Sequence, residues 1–422
     1  MAALFNIVPV RPAVFLTDGE FERIIGDYIR SLEHLGGVRG SQDDLGRPEP
    51  TFFLVATGGT EEEVLRLEAE RRKSAPDDPV FFVAHRSNNS LPAALEVLAR
   101  LQQDDRPGRI FYLDGPDDAE GLALVNDAAR DLATRHALAH TRIGLIGRPS
   151  DWLVASSPKS AVLERVWGPQ VVDIAMEELA AALPKVPQNS VESEVGLLAA
   201  DAREIAGPSG VEQEDVARVL AAIDHLVERH DLDAVSIRCF DLVLEQKTTG
   251  CIALARLNDQ GVIAGCEGDL VSTMAMVWTH ELLQEVPWMA NPARLDEKAN
   301  TLWLAHCTVP LSLVSRFSLR SHFESGLGVA IQGELPHESI TLLRIGGAGM
   351  ERLWLAEGEI IGTGNSENLC RTQVEIRLTT GSVTDLLRSP LGNHLVMVRG
   401  HHAQRLRSWW ETFVSSRLPG GQ

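Results

Sequence analysis

The feature that most restricts the fold is an alternation running through the first 141 residues. Short apolar, β-rich runs at 5–10, 51–57, 80–85 and 109–113 are separated by stretches at 19–35, 61–73, 91–103 and 119–137. In those stretches the apolar residues recur at helical spacing. A strand that is apolar at nearly every position must be covered on both faces, and amphipathic helices between the strands are what cover it. The pattern predicts a parallel, doubly wound sheet, which collects ligands at the carboxyl ends of its strands. Two of those ends are polar. Thr57-Gly58-Gly59-Thr60 is not a GxGxxG loop, and its spacing predicts Thr60 as a helix N-cap with Glu63 completing a capping box. The loop from His85 to Ser90 leaves two readings open: it lines a cleft, or Ser90 caps the next helix.

A second α/β unit is expected from Arg142, with strands at 143–146, 171–174 and 234–237 and helices at 194–206 and 212–230. In the last of these, Val216, Val219, Leu220, Ile223 and Leu226 fall on one apolar face. From about residue 300 the texture changes. Short β-rich runs at 302–305, 328–332, 339–345, 353–356, 360–363, 373–378 and 394–398 crowd between glycines and turns, before a final helix at 402–414. That predicts an antiparallel barrel or sandwich. The expected class is α/β: two doubly wound parallel-sheet domains, 1–141 and 142–300, followed by a C-terminal antiparallel β-barrel-like domain, 301–422.

Charge and cysteine usage narrow the function. A formal charge of −20 argues against nucleic acid and anionic membranes, both of which call for a basic face. No apolar run reaches the length of a membrane span, and the N-terminus shows neither a basic n-region nor a cleavage site, so a cytoplasmic protein is expected. The five cysteines (Cys239, Cys251, Cys266, Cys307 and Cys370) are odd in number, widely spaced and without a CxxC. They suit reduced, buried thiols better than a disulfide framework or a zinc site.

Residues 265–291 hold the densest chemistry. An apolar run ends at Gly265-Cys266, two carboxylates follow at Glu267 and Asp269, and a long apolar helix comes next. Further on stand His306-Cys307, His322-Phe323-Glu324, Asn393-His394 and Gly400-His401-His402. Carboxylate oxygen with imidazole nitrogen suits Mn²⁺ or another divalent cation of borderline softness. Spacing leaves plainer readings open: His306 or His394 as a hydrogen-bonded structural residue, Glu267 as an N-cap carboxylate beside the helix dipole. Trp152, in a loop, suits stacking on a ligand or packing as a buried indole.

Several of these motifs resemble the L-fucose isomerase and L-arabinose isomerase family, in the same order over most of the chain. Glu267-Gly268-Asp269, Met274-Ala275-Met276 and Met289-Ala290-Asn291 are similar to the family's carboxylate motif, its methionine-rich helix and its second carboxylate segment. Ala305-His306, Asn393-His394, Gly400-His401 and Arg11-Pro12 match further short motifs. The resemblance implies an aldose–ketose isomerase for a 6-deoxy, pentose or 6-sulfo sugar such as sulfoquinovose. In that mechanism Mn²⁺ chelates the sugar oxygens, and a base moves a proton between C1 and C2 through a cis-enediolate. It implies Glu267, Asn291, His306 and His394 as ligand positions, with Glu267 and Asn291 at the catalytic positions. Arg11, Trp152, Asp269, His322, Glu324 and His401 are expected near substrate, Arg11 from across a subunit boundary of a trimer or hexamer. Asp269 is equally placed to orient Glu267 or the helix start. Asn291 departs from the family's carboxylate, because an amide does not usefully accept a proton. Glu324 or Asp241 then stands in, or Glu267 works with water, or the activity has diverged toward sugar binding, epimerisation or lyase chemistry. A 6-modified sugar would want a cationic pocket, for which Arg148, Arg238 and Arg320 are candidates.

Overall fold

β1 (Phe5–Val10), β2 (Gly37–Arg39), β3 (Thr51–Val55), β4 (Val80–His85) and β5 (Gly108–Leu113) form a parallel sheet in the order β2-β1-β3-β4-β5. The computed structural model describes residues 4–12 and 16–415, and this sheet lies in the first of its two units, Met1–Ala137 and Leu138–Gln422. β3 and β4 are buried along their whole length, as continuous apolar runs require. Phe52, Phe81 and Phe111 pack ring against ring on one face, while Val8, Val10, Phe53 and Phe82 fill the other.

The two polar strand ends of this sheet differ from expectation. The helix Glu61–Ser74 does follow Thr60, but Thr60 makes no side-chain cap. Its backbone (φ −105°, ψ 0°) departs from the extended shape an N-cap uses, and its hydroxyl donates to the Thr57 carbonyl at 2.8 Å. Glu63 pairs with Arg66 instead. Ser90 lies inside the next helix, with Asn89 at the cap position in the left-handed region. The buried Ser90 hydroxyl accepts from the His85 amide at 2.9 Å and donates to the Val55 carbonyl at 2.5 Å, tying two strand ends together.

In the second unit, β6 (Arg142–Ile146), β7 (Gln170–Ile174), β9 (Ala234–Ile237) and β10 (Ile263–Cys266) make a parallel sheet in the order β10-β9-β6-β7. β8 (Ile205–Ala206) joins β13 (Arg316–Arg320) and β14 (Ala330–Glu334) in a small separate sheet. Six further strands close an antiparallel barrel: β11 (Trp288–Asp296), β12 (Thr301–His306), β15 (Ser339–Gly346), β16 (Arg352–Thr363), β17 (Thr372–Thr380) and β18 (Leu395–Arg399). Closure leaves these strands no open edge. The barrel core is built from alternate residues, such as Leu302 and Leu304, Ile340 and Leu342, Val374 and Ile376, Leu395 and Met397. The fold class is therefore α/β parallel sheets followed by a closed antiparallel barrel.

The helix Leu270–Leu283 joins the two halves of this unit. It is buried on nearly every side, with Leu270 through Thr279 all inaccessible. A helix apolar all round belongs in a core. This one packs against β9 and β10 of the sheet and against β11, β15 and β18 of the barrel. Its N-terminus therefore opens where strand ends of the sheet meet strand ends of the barrel.

Candidate metal centre

The centre starts from a strained turn. After β10 the chain must reverse into the buried helix within three residues. Glu267 (φ +63°) and Gly268 (φ +69°) both take the left-handed conformation, which is uncommon for a side chain such as glutamate. Neighbouring backbone holds the turn in place: the Gly268 amide donates to Ile237 at 2.9 Å, and the Glu267 carbonyl accepts from Ser150 at 2.9 Å. Gly265 is fixed by close approach, since a Cβ there would sit 2.0 Å from the Thr273 hydroxyl.

Asp269, not Glu267, caps the helix. Its carboxylate accepts from the Ser272 amide and hydroxyl, each at 2.8 Å, and is wholly buried. The same carboxylate meets Arg344 at 3.3 Å and His394 Nδ1 at 2.8 Å. Arg344 is itself buried and donates to Ser156, Ser272 and the Leu391 carbonyl. The sequence marks Arg344 by one signal, an arginine inside the apolar run of β15.

With Nδ1 donating to Asp269, His394 turns Nε2 toward Glu267 Oε1, 3.7 Å away. That nitrogen is buried and has no hydrogen-bond partner among the described residues. His306, at the end of β12, has Nδ1 hydrogen-bonded to the Thr308 hydroxyl at 2.8 Å and its ring edge-on to His394, centroids 5.6 Å apart. One ligand atom each from Glu267, His306 and His394 lies within 4.8 Å of the other two. Trp152 donates from Nε1 to Glu267 Oε2 at 2.6 Å and rests edge-on against Phe240. Glu267 is thus held by its outer oxygen and presents the inner one to the histidines.

Burial and neighbouring charges together set the ionisation of these groups. Burial alone would raise the Asp269 carboxyl, but Arg344 and His394 outweigh it and hold Asp269 well below the usual carboxylate range. Burial likewise opposes ionisation of Glu267, and His394 and Trp152 overcome it, so its pKa is lowered. Burial pushes His394 down, yet the hydrogen bond to Asp269 and the negative charges of Asp269 and Glu267 carry it up to about 9. Burial and then the charge of His394 take His306 down to about 4. At neutral pH the cluster holds ionised carboxylates, an unprotonated His306 and a His394 whose proton must leave before a cation can bind there.

A cavity of about 140 Å³ opens beside the cluster, lined by Glu267, Asn291, His306, His322 and Glu324 among others. Asn291 reaches it from β11, directly opposite Ala305 of β12. His322 shares a hydrogen bond with Ser325 at 3.1 Å and lies edge-on to Phe240. All five cysteines also line it, four of them buried, with Cys239 and Cys266 sulfurs 3.1 Å apart. The remaining candidates lie elsewhere. Arg11 belongs to the first unit and pairs with Asp18. His401 is half-exposed beside Glu357 and lines a different hollow with Leu353 and Arg407. Asp241 pairs with Arg238, Arg148 and Arg238 both pair with Asp151, and Arg320 pairs with Glu367. None of these four lines the cavity.

No family model matches the chain. It is similar to proteins named sulfoquinovose isomerase. That of Alkalicoccus urumqiensis is 21% identical over 327 residues, covering 76% of this chain and 73% of the relative. That of Clostridium sp. (strain MSTE9) is 27% identical over 168 residues, covering 38% and 37%. That of Priestia aryabhattai is 20% identical over 284 residues, covering 64% and 62%. The chain thus spans less than two thirds of the last two. Among the described residues, no helix is long and apolar enough to cross a membrane.

Proposed function

We propose that this chain is an aldose–ketose isomerase for a monosaccharide, using Mn²⁺ or another divalent cation held by Glu267, His306 and His394. The observation that carries the reading is the buried, unpartnered His394 Nε2, aimed at Glu267 while Nδ1 is fixed on Asp269. A buried polar atom left unpaired costs about 1–3 kcal/mol, which a ligand at that position offsets. One carboxylate with two imidazoles is also a donor set that suits borderline divalent cations. When bound, such a cation supplies Lewis-acid stabilisation of negative charge on the sugar oxygens.

The chain's own residues do the rest. Asp269 fixes the tautomer and orientation of His394, as a carboxylate behind a ligating imidazole does. Trp152 orients Glu267. Asn291 offers the sugar a neutral amide, both donor and acceptor, and His322 and Glu324 complete the wall. The names of the relatives favour a 6-sulfo sugar such as sulfoquinovose, with 6-deoxy sugars and pentoses as neighbouring possibilities. Assembly as a trimer or hexamer, with Arg11 supplied to a neighbour's site, and a cytoplasmic location complete the proposal.

The test is an assay of purified protein with sulfoquinovose and a panel of aldoses, with added Mn²⁺ and products read by NMR. Conversion of one aldose to its ketose, lost on chelation and restored by Mn²⁺, is the expected result. Sugar binding without conversion would show a non-catalytic sugar-binding protein on this scaffold, and products other than ketoses an epimerase or lyase.

A further inference from the structure

The isomerisation proposed above needs a base that can take a proton from carbon and return it. The groups nearest the cluster are already committed. Glu267 is bonded through Oε2 to Trp152, and its other oxygen faces His394. His394 is closed off by Asp269 on one nitrogen and by the cluster on the other. His306 is tied to Thr308, and Asn291 is an amide with no usable proton affinity. Among the described residues, the cavity wall has one carboxylate besides Glu267, that of Glu324.

The surroundings of Glu324 distinguish it from an ordinary surface glutamate. It stands on a short turn after β13 that is held by its own hydrogen bonds. The His322 amide donates to Leu327 at 3.2 Å, the Gly326 amide to His322 at 2.8 Å, and Ser325 Oγ accepts from the Leu327 amide at 3.3 Å. The glycine at 326 is needed there, with φ +66°. The far side is anchored by the Gly328 amide on Glu212 at 3.0 Å. Flanking cations do not neutralise Glu324, because Arg320 and Arg371 both close on Glu367, at 3.1 and 2.7 Å. A fixed turn therefore presents an uncommitted carboxylate to a cavity whose other acid is held in the cluster.

We infer that Glu324 is the catalytic base and acid of this chain, carrying the proton between C2 and C1 of the sugar. This rests on the isomerase reading. The C2–H bond breaks and the proton goes to the Glu324 carboxylate. The electron pair left behind becomes the C1–C2 double bond of the enediolate. Protonated Glu324 then gives its proton to C1 as the carbonyl forms at C2, and the hydroxyl proton passes from O2 to O1 through solvent. Nothing is oxidised or reduced overall, so no co-reactant is required.

The full-length protein, its E324Q and E324D variants and His322→Asn test this, with Mn²⁺ supplied and the reaction run in D₂O. Because Glu324 is exposed, E324Q is expected to keep the melting temperature and the Mn²⁺ affinity of the wild type. Its kcat should fall by about 10²–10⁴-fold, the range for general acid–base groups, with KM little changed. Deuterium wash-in at C1 should fall in parallel, E324D should recover part of the rate, and H322N should lose less than about tenfold. An active wild type with E324Q within about threefold of it, or with the larger loss in H322N, overturns the inference alone. A wild type that isomerises no aldose overturns the isomerase reading and this inference with it.

Discussion

His85 and His394 are both buried histidines, one in each unit, and both sit at the boundary of an apolar strand. His85 closes β4. Its Nε2 meets the Ala56 carbonyl at 3.0 Å, its Nδ1 accepts from the Ser87 amide at 3.3 Å, and its ring stacks on Tyr28. Burial pushes its pKa below the ordinary value. Both nitrogens are satisfied by backbone, so the ring is a finished structural part. His394 stands just before β18 with one nitrogen on the buried carboxylate of Asp269 and the other unpartnered. Equal burial thus accompanies different hydrogen bonding, and what separates the two rings is whether the second nitrogen already has a partner. The same contrast holds for the loops. The polar residues after β3 and β4 spend their hydrogen bonds on one another, while the turn after β10 leaves Glu267 facing a cavity.

The sharpest way to break this comparison is to remove each ring in turn. His394→Ala should lower Mn²⁺ affinity by more than about 100-fold, beyond the loss expected from altering a residue behind a ligand, and abolish turnover. His85→Gln should leave Mn²⁺ binding intact and cost about 1–3 kcal/mol of stability from unpaired backbone groups. Calorimetric titration and denaturant unfolding of both variants read the two effects, and metal loss in the His85 variant would undo the distinction. Next in size, Asp269→Asn should weaken Mn²⁺ binding by about 10–100-fold. Asparagine caps helices about as well as aspartate, so this change isolates the hold on His394 from the hold on the helix. An equal affinity in that variant would show that Asp269 serves the helix alone.

A pH dependence follows from His394 at about 9. To bind a cation it must lose its proton. Below that pH, Mn²⁺ binding should release about one proton, and affinity should climb as pH rises toward 9 and then level off. Titration in buffers of different ionisation enthalpy measures the released proton. Without metal the stability effect runs the other way. A raised histidine pKa stabilises the fold fully below the unfolded value near 6.5, and this contribution is lost as pH rises through about 9. His85, with a lowered pKa, should show no proton release on metal addition. The smallest effect belongs to Trp152→Phe, which keeps the ring against Phe240 but removes the bond to Glu267. It should cost about 0.5–1.5 kcal/mol of Mn²⁺ binding, a few-fold to roughly tenfold in affinity.

Much of the fold was legible because its strands are continuous apolar runs and its helices have clean periodicity, as in the face of Val216, Leu220 and Ile223. The first barrel strand was not, since β11 carries Pro292 at a bulge and turns polar toward Asp296. It begins at Trp288, ahead of the change in texture near residue 300. Glu267, His306 and His394 were readable as donor types, and they do come together. Their division of labour was not readable. Whether Asp269 or Glu267 caps the helix depends on a left-handed turn that no spacing reveals, and the partnership of Asp269 with Arg344 spans 75 residues.

The most direct test of the central claim is anomalous diffraction at the manganese edge from crystals of the protein grown with Mn²⁺. A single strong peak within about 2.0–2.4 Å of a Glu267 oxygen and of imidazole nitrogens of both His306 and His394 is expected, as for divalent cations on oxygen and nitrogen. A peak that avoids the His394 ring, or full Mn²⁺ occupancy elsewhere with this cluster empty, would contradict it.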